Sequence, residues 1–467
     1  MMRADALSAA DTWFDDGGFL EELGRRVAWR TESPNLDRRP DLRSYLTDEI
    51  GPALSDLGFT YEIFDHPEPG GPPFLIGERI ESEDLPTVLT YGHGDVVLGY
   101  DDQWADGRSP WEVVVDGDRI YGRGTADNKG QHTINLAALR TVLEARGSLG
   151  FNVVYLMETG EECGSPGLHE FCAAHRDRLR ADVLIASDGP RNGADRPTVF
   201  MGSRGAYNFT MRLDLRDGGH HSGNWGGLLA NPGIVLANAL ATMVDAKGRI
   251  LVDGWRAEPM TDSVRAAIAK LSIGQDPGDP EIDPDWGEPD HSPAERVLGT
   301  NTFEVLAFET GNPRNPVNAV PPTAVAHCHL RLVVGTDLDD LLPALRTHLD
   351  NHGFEAIELE AGSVGMNPTR LDPEHPWAKW VVASIEETSG QEVAVLPNLG
   401  GSLPNDVFAD LLGLPTIWVP HSYAGCSQHA PNEHALASTC RSALEIMTGL
   451  WWDLGAGQTP AGVEVPS

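Results

Sequence analysis

Three short apolar runs constrain this chain more than any other feature, because each ends in acidic residues. Residues 86–91 (Pro-Thr-Val-Leu-Thr-Tyr), 151–157 (Phe-Asn-Val-Val-Tyr-Leu-Met) and 181–186 (Ala-Asp-Val-Leu-Ile-Ala) have the length and composition of buried strands. Gly-His-Gly-Asp follows the first, Glu-Thr-Gly-Glu-Glu the second and Ser-Asp-Gly the third. Between the first two runs, residues 133–146 carry Leu136, Leu139, Val142 and Leu143 at helical spacing. Strands alternating with helices predict an α/β fold, with a mostly parallel sheet sandwiched by helices. Such sheets place their sites at the carboxyl ends of the strands, where these acids fall.

At 467 residues the chain exceeds what one core usually organises, so a second domain is expected. The periodicity predicts helix up to about Pro34, through Phe19, Leu20, Leu23, Val27 and Ala28, and again over residues 42–57. From Gly202 the texture changes. Phe209, Met211, Leu213 and Leu215 alternate as a half-buried strand, residues 232–244 read as helix, and residues 325–333 alternate again. This predicts an α+β unit over residues 202–364, inserted between catalytic-domain segments 1–201 and 365–467. Within it, residues 275–293 are Asp-, Pro- and Gly-rich and read as a loop. A helix through Val381, Val382 and Ile385 resumes the first style, and residues 455–467 read as a frayed tail.

Charge narrows the functions. The net charge is -36, from 70 acids against 34 bases, and lysine occurs only at 129, 247, 270 and 379. Such a field repels nucleic acid and anionic membranes, so neither is an expected partner. Five scattered cysteines with no C-x-x-C pair argue against a disulfide framework and a thiolate metal cage. Any metal would therefore sit on His and carboxylate. With no long apolar span and no secretory signal pattern, a cytoplasmic location is expected.

Each candidate motif has a plain structural reading beside its chemical one. In His93-Gly-Asp95 the two side chains share one side of an extended segment, so the carboxylate can orient an imidazole that ligates metal. In Gly122-Arg-Gly-Thr-Ala-Asp127-Asn-Lys-Gly130 the acid could cap the next helix; equally, the flanking glycines let one carboxylate approach two cations. Glu161-Glu162 are either solvated loop acids or a metal ligand beside a general base, which takes a proton from metal-acidified water. Asp188 has the same ambiguity. His429-Ala-Pro-Asn-Glu433 could be a helix entry, and Cys426 has no partner that makes it a ligand. Together they form a nitrogen and oxygen donor set suited to zinc, cobalt or manganese.

In order and spacing these pieces, from Tyr91 to Glu433, resemble the dinuclear zinc peptidases. That family includes aminoacylase, acetylornithine deacetylase, glutamate carboxypeptidases and carnosinase-type dipeptidases. The resemblance implies two zinc ions per chain, one on His93, Asp127 and Asp188, the other on Asp127, Glu162 and His429. Asp127 would bridge them, Glu161 would be the base, Asp95 would orient His93, and the peptide bond after Asp127 would be cis. The inserted unit resembles the family's lid and dimerisation domain. His221, before Ser222-Gly223, would steady the oxyanion in a neighbouring subunit's site, which implies a homodimer. Asn318, Arg331, Gly401 and Ser402 match positions that contact substrate, with Arg331 suited to a free carboxylate. The long lid is closest to the dipeptidase branch. Two substrates stay open, a dipeptide or an N-acyl amino acid, and a non-catalytic protein on this fold would be expected to lack a ligand or the base.

Overall fold

The computed structural model describes residues 2–275 and 280–460. Residues 276–279 of the expected loop and 461–467 of the expected tail lie outside them.

An eight-stranded sheet runs in the order Thr60–Phe64, Phe74–Arg79, Asn152–Glu158, Thr87–His93, Val183–Ala186, Thr416–Trp418, Thr198–Phe200, Ala394–Leu396. The four central strands are mutually parallel, from the Thr87↔Asn152 to His93↔Glu158 register outward. Phe74–Arg79 and Thr198–Phe200 join them antiparallel. Alternation along one strand splits its side chains between two cores. Val153, Tyr155 and Met157 enter one, which is covered by helices Lys129–Arg146 and Ala437–Gly455; Val154 and Leu156 enter the other with Leu168 and Phe171.

Two strands run further than their apolar cores suggest, to His93 and Glu158, because backbone pairing continues through the polar residues. The opening helix is two helices, Arg3–Asp15 and Gly18–Val27, broken where Gly17 takes φ 91°. Over residues 39–56 the helix widens by a residue per turn at Leu46–Ile50, just ahead of Pro52, which has no N–H to donate.

The segment from 205 to 364 builds a second, antiparallel sheet in the order Thr302–Thr310, Thr323–Leu332, Gly205–Asp214, Glu358–Val364. Its inner face carries Phe209, Met211 and Leu213 against Leu236 and Met243 of helix Pro232–Met243 and Leu345 of helix Leu341–Asn351. Part of this segment returns to the larger sheet: Val264, Ile268, Ala294 and Leu298 belong to the core around Leu156. Among the described residues, no helix is long and apolar enough to cross a membrane.

Candidate metal centre

Four carboxyl ends of the larger sheet converge. His93 closes its strand and Asp95 follows two residues on; Glu161 and Glu162 open a short turn after Asn152–Glu158. Asp188 lies two residues past Val183–Ala186, and His429 sits in the loop that follows Thr416–Trp418, with φ 60°. Asp127 stands just ahead of helix Lys129–Arg146, and its bond to Asn128 is cis.

Asp127 lies between the two histidines. Its Oδ1 is 3.0 Å from His93 Nε2, and its Oδ2 is 3.0 Å from His429 Nε2. Asp188 Oδ2 is 3.6 Å from His93 Nε2, while Glu162 Oε2 is 3.0 Å from His429 Nε2. Ligand atoms of His93, Asp127 and Asp188 lie within 4.8 Å of one another, and so do those of Asp127, Glu162 and His429. The two groups share Asp127, each taking one of its oxygens.

The charges are unbalanced without a cation. Burial, then repulsion from Asp188, Glu162 and Asp127, raises the Glu161 carboxyl well above its ordinary range, with His93 opposing. Burial and Asp127 push Glu162 up to about 7 and Asp188 to about 6. Burial acts on Asp127 in the same direction, but the bonds from His429 and His93 outweigh it and hold that carboxyl below its usual range. The same contacts with Asp127 and Glu162 push His429 up to about 11. Asp188 Oδ2 is buried with no hydrogen-bond partner. Two imidazoles and three carboxylates that crowd one another, with an orphaned oxygen among them, form a donor set that fits divalent cations.

The surrounding shell is tighter than the motifs reveal. Asp95 accepts the amides of Glu161 and Glu162 on its two oxygens, at 3.2 and 3.1 Å. His93 Nδ1 lies 3.1 Å from the Asp95 carbonyl oxygen and 3.4 Å from its Oδ1. One residue therefore orients both the imidazole and the acid pair. Glu433 does as much for Asp127: its Oε1 accepts the amides of Gly124, Ala126 and Asp127, and Oε2 accepts from Arg123 Nη1 at 2.7 Å. Both members of that ion pair are 1% exposed, so removing either leaves a buried unpaired charge, at a cost of about 3–5 kcal/mol. Gly130 is required for the same loop, since a Cβ there would lie 2.0 Å from the Thr125 carbonyl oxygen. Gln428 Nε2 also donates to Asp127 Oδ2. Arg123 and Glu433 lie 310 residues apart, and no spacing rule could have paired them; Gln428 carried no signal in sequence at all.

The remaining candidates lie on the inserted unit and on loop 399–402. His221 and Asn318 share a small exposed ribbon of the inserted unit, where His221 pairs with Ala319 and the Asn318 carbonyl accepts the Ser222 amide. Neither makes a hydrogen bond or ion pair with the ligand groups. Arg331, on the inserted sheet, donates to Ser402 Oγ at 2.7 Å, and the Gly401 carbonyl accepts the Arg204 amide at 3.1 Å. Those contacts join the inserted unit to the loop 399–402.

An α/β sheet with paired His and carboxylate groups at one edge defines a metal-dependent hydrolase. Residues 89–453 match the family described as Peptidase family M20/M25/M40, and the chain belongs to that family. A cysteinylglycine-S-conjugate dipeptidase of Corynebacterium striatum is 28% identical over 361 residues, 75% of this chain and 76% of that protein. A Cys-Gly metallodipeptidase of Saccharomyces cerevisiae is 30% identical over 429 residues, 84% of each. Among solved structures, an M20 family metallo-carboxypeptidase from Sulfolobus solfataricus superposes with TM-score 0.78 at 26% identity, over 94% of this chain and 99% of that one.

Proposed function

We infer that this chain hydrolyses dipeptides with a free C-terminal carboxylate, using two metal ions held by His93, Asp127 and Asp188 and by Asp127, Glu162 and His429. The observation that carries the reading is Asp127 shared between the two ligand groups, with Glu161 beside them. Bound divalent ions would supply an acidified water and a polarised scissile carbonyl, and the nitrogen and oxygen donors suit zinc, with cobalt or manganese as substitutes. Glu161 takes the proton from the attacking water and passes it to the leaving nitrogen. Asp95 fixes Glu161 through its amide and His93 through its ring nitrogen. Arg331, with Ser402, takes the substrate's carboxylate and Gly401 contributes a polar contact, while Asn318, on the ribbon it shares with His221, would contact the substrate of the partner's site. The dipeptidases among the relatives favour a dipeptide over an N-acyl amino acid. A panel of dipeptides and N-acetyl amino acids separates the two: dipeptides should turn over at least about tenfold faster in kcat/KM. Turnover confined to the acetyl compounds would replace this reading with the deacylase one.

The same reading makes the protein a homodimer through the lid. The edge strand Thr302–Thr310 leaves Val305 43%, Leu306 61% and Phe308 41% exposed, and Leu228 and Ile234 are also exposed. An unpaired apolar strand edge of this kind is a template for another chain. His221, which makes no hydrogen bond or ion pair with the ligand groups of its own chain, would then serve the partner's site. Leu306→Asp with Phe308→Asp is expected to give a monomer by light scattering, with activity reduced about 100-fold, the usual cost of an oxyanion donor. A fully active monomer would remove His221 from the mechanism. Five unpaired cysteines accord with a reducing cytoplasm.

A further inference from the structure

Two arginines meet at the junction of the inserted sheet and the loop 399–402 without an acid between them. Arg331 donates to Ser402 Oγ at 2.7 Å, and that hydroxyl donates to the Arg204 carbonyl at 2.6 Å. Arg204 is 9% exposed; its Nε donates to the Gly400 carbonyl at 2.9 Å, and its Nη1 is buried with no partner. Among the described residues, no carboxylate lies within the 4.0 Å ion-pair distance of either guanidinium. Other buried arginines vary: among the described residues Arg191 likewise has no ion pair and donates to the Pro420 carbonyl, whereas Arg26 and Arg123 have acids. Arg123 is paired with Glu433 and Arg26 with Glu49. A desolvated guanidinium with an orphaned N–H, in a chain of net charge -36, calls for an anion that the protein does not supply.

The loop at this junction packs beside the residue that follows Asp188. Leu399 packs on Gly189, the residue after Asp188: a Cβ on Gly189 would meet Leu399 Cδ2 at 3.3 Å. Arg204 also borders a cavity of about 600 Å³ whose walls include Trp286, Val297 and Phe303. Glu281, Asp283, Glu288 and Glu304 also line that cavity, and Glu304 is near enough to Arg204 to act on its charge without pairing with it. The substrate's main-chain carboxylate neutralises Arg331, which leaves Arg204 in need of a second negative group a few bonds away. We propose that Arg204 is a specificity-determining residue that binds a side-chain carboxylate, so that the preferred substrates carry Asp or Glu at their C-terminal position. This rests on the assignment of Arg331 to the main-chain carboxylate.

Product binding tests it without requiring turnover. Calorimetry on the zinc-loaded protein should give L-glutamate a Kd at least about tenfold lower than that of L-glutamine. Arg204→Gln, which keeps an N–H for the Gly400 carbonyl, should bring the ratio to about one, and Arg204→Lys should restore part of it. A ratio is insensitive to general loosening of the loop, so a purely structural role for Arg204 would leave it unmoved. Equal affinities in the unaltered protein, tighter binding of L-lysine, or an unchanged ratio in Arg204→Gln would each overturn the proposal. Hydrolysis of Ala-Glu against Ala-Gln, measured in parallel, separates the two readings. Selective glutamate binding with no dipeptide cleaved would keep Arg204 and discard the dipeptidase.

Discussion

Glu161→Gln is expected to retain its metals and lose kcat by at least about 10³-fold, some 4 kcal/mol of barrier. The substitution keeps size and hydrogen bonding and removes only the capacity to take a proton. Glu161 belongs to neither group of converging ligand atoms, whereas its neighbour Glu162 lies 3.0 Å from His429. The two adjacent acids therefore have separable roles. Glu162→Gln should lower metal content, and Glu161→Gln should not. Elemental analysis alongside steady-state kinetics distinguishes them, and retained activity in Glu161→Gln would exclude it as the base.

Asp127→Asn should have the larger effect on composition. One oxygen of Asp127 faces His93 and the other His429, so an amide, with a single weaker oxygen, cannot serve both sides. Metal content is expected to fall below about one ion per chain, with activity at background. Asp188→Asn touches one group only and should leave about one ion bound. Equal loss in the two variants would mean that Asp127 does not bridge.

The three strands and their acidic endings were legible because buried parallel strands are continuous apolar runs, and polar residues directly after them stand out. The order of His93, Asp127, Glu161, Asp188 and His429 along the chain then narrowed each ambiguous residue. Edge elements were not legible. Thr302–Thr310 exposes apolar and polar residues alike, so it carries no clean alternation, and Thr198–Phe200 and Ala394–Leu396 are too short for any period. The supporting shell was equally silent. Glu433 was visible in its motif, but its three amide contacts and its pairing with Arg123 exist only once loops 122–127 and 426–434 meet in space. Arg204 had no motif at all, since its partnerless N–H and its closeness to Arg331 arise only in the folded chain.

Metal titration of the chelator-stripped protein, following dipeptide hydrolysis and bound ion together, tests the account most directly. Hydrolysis should be absent without metal, reappear on addition of zinc, and saturate when two ions are bound, one for each ligand group that shares Asp127. Full dipeptidase activity in protein verified to be metal-free, or saturation at a single ion, would contradict the paired centre on which the mechanism depends.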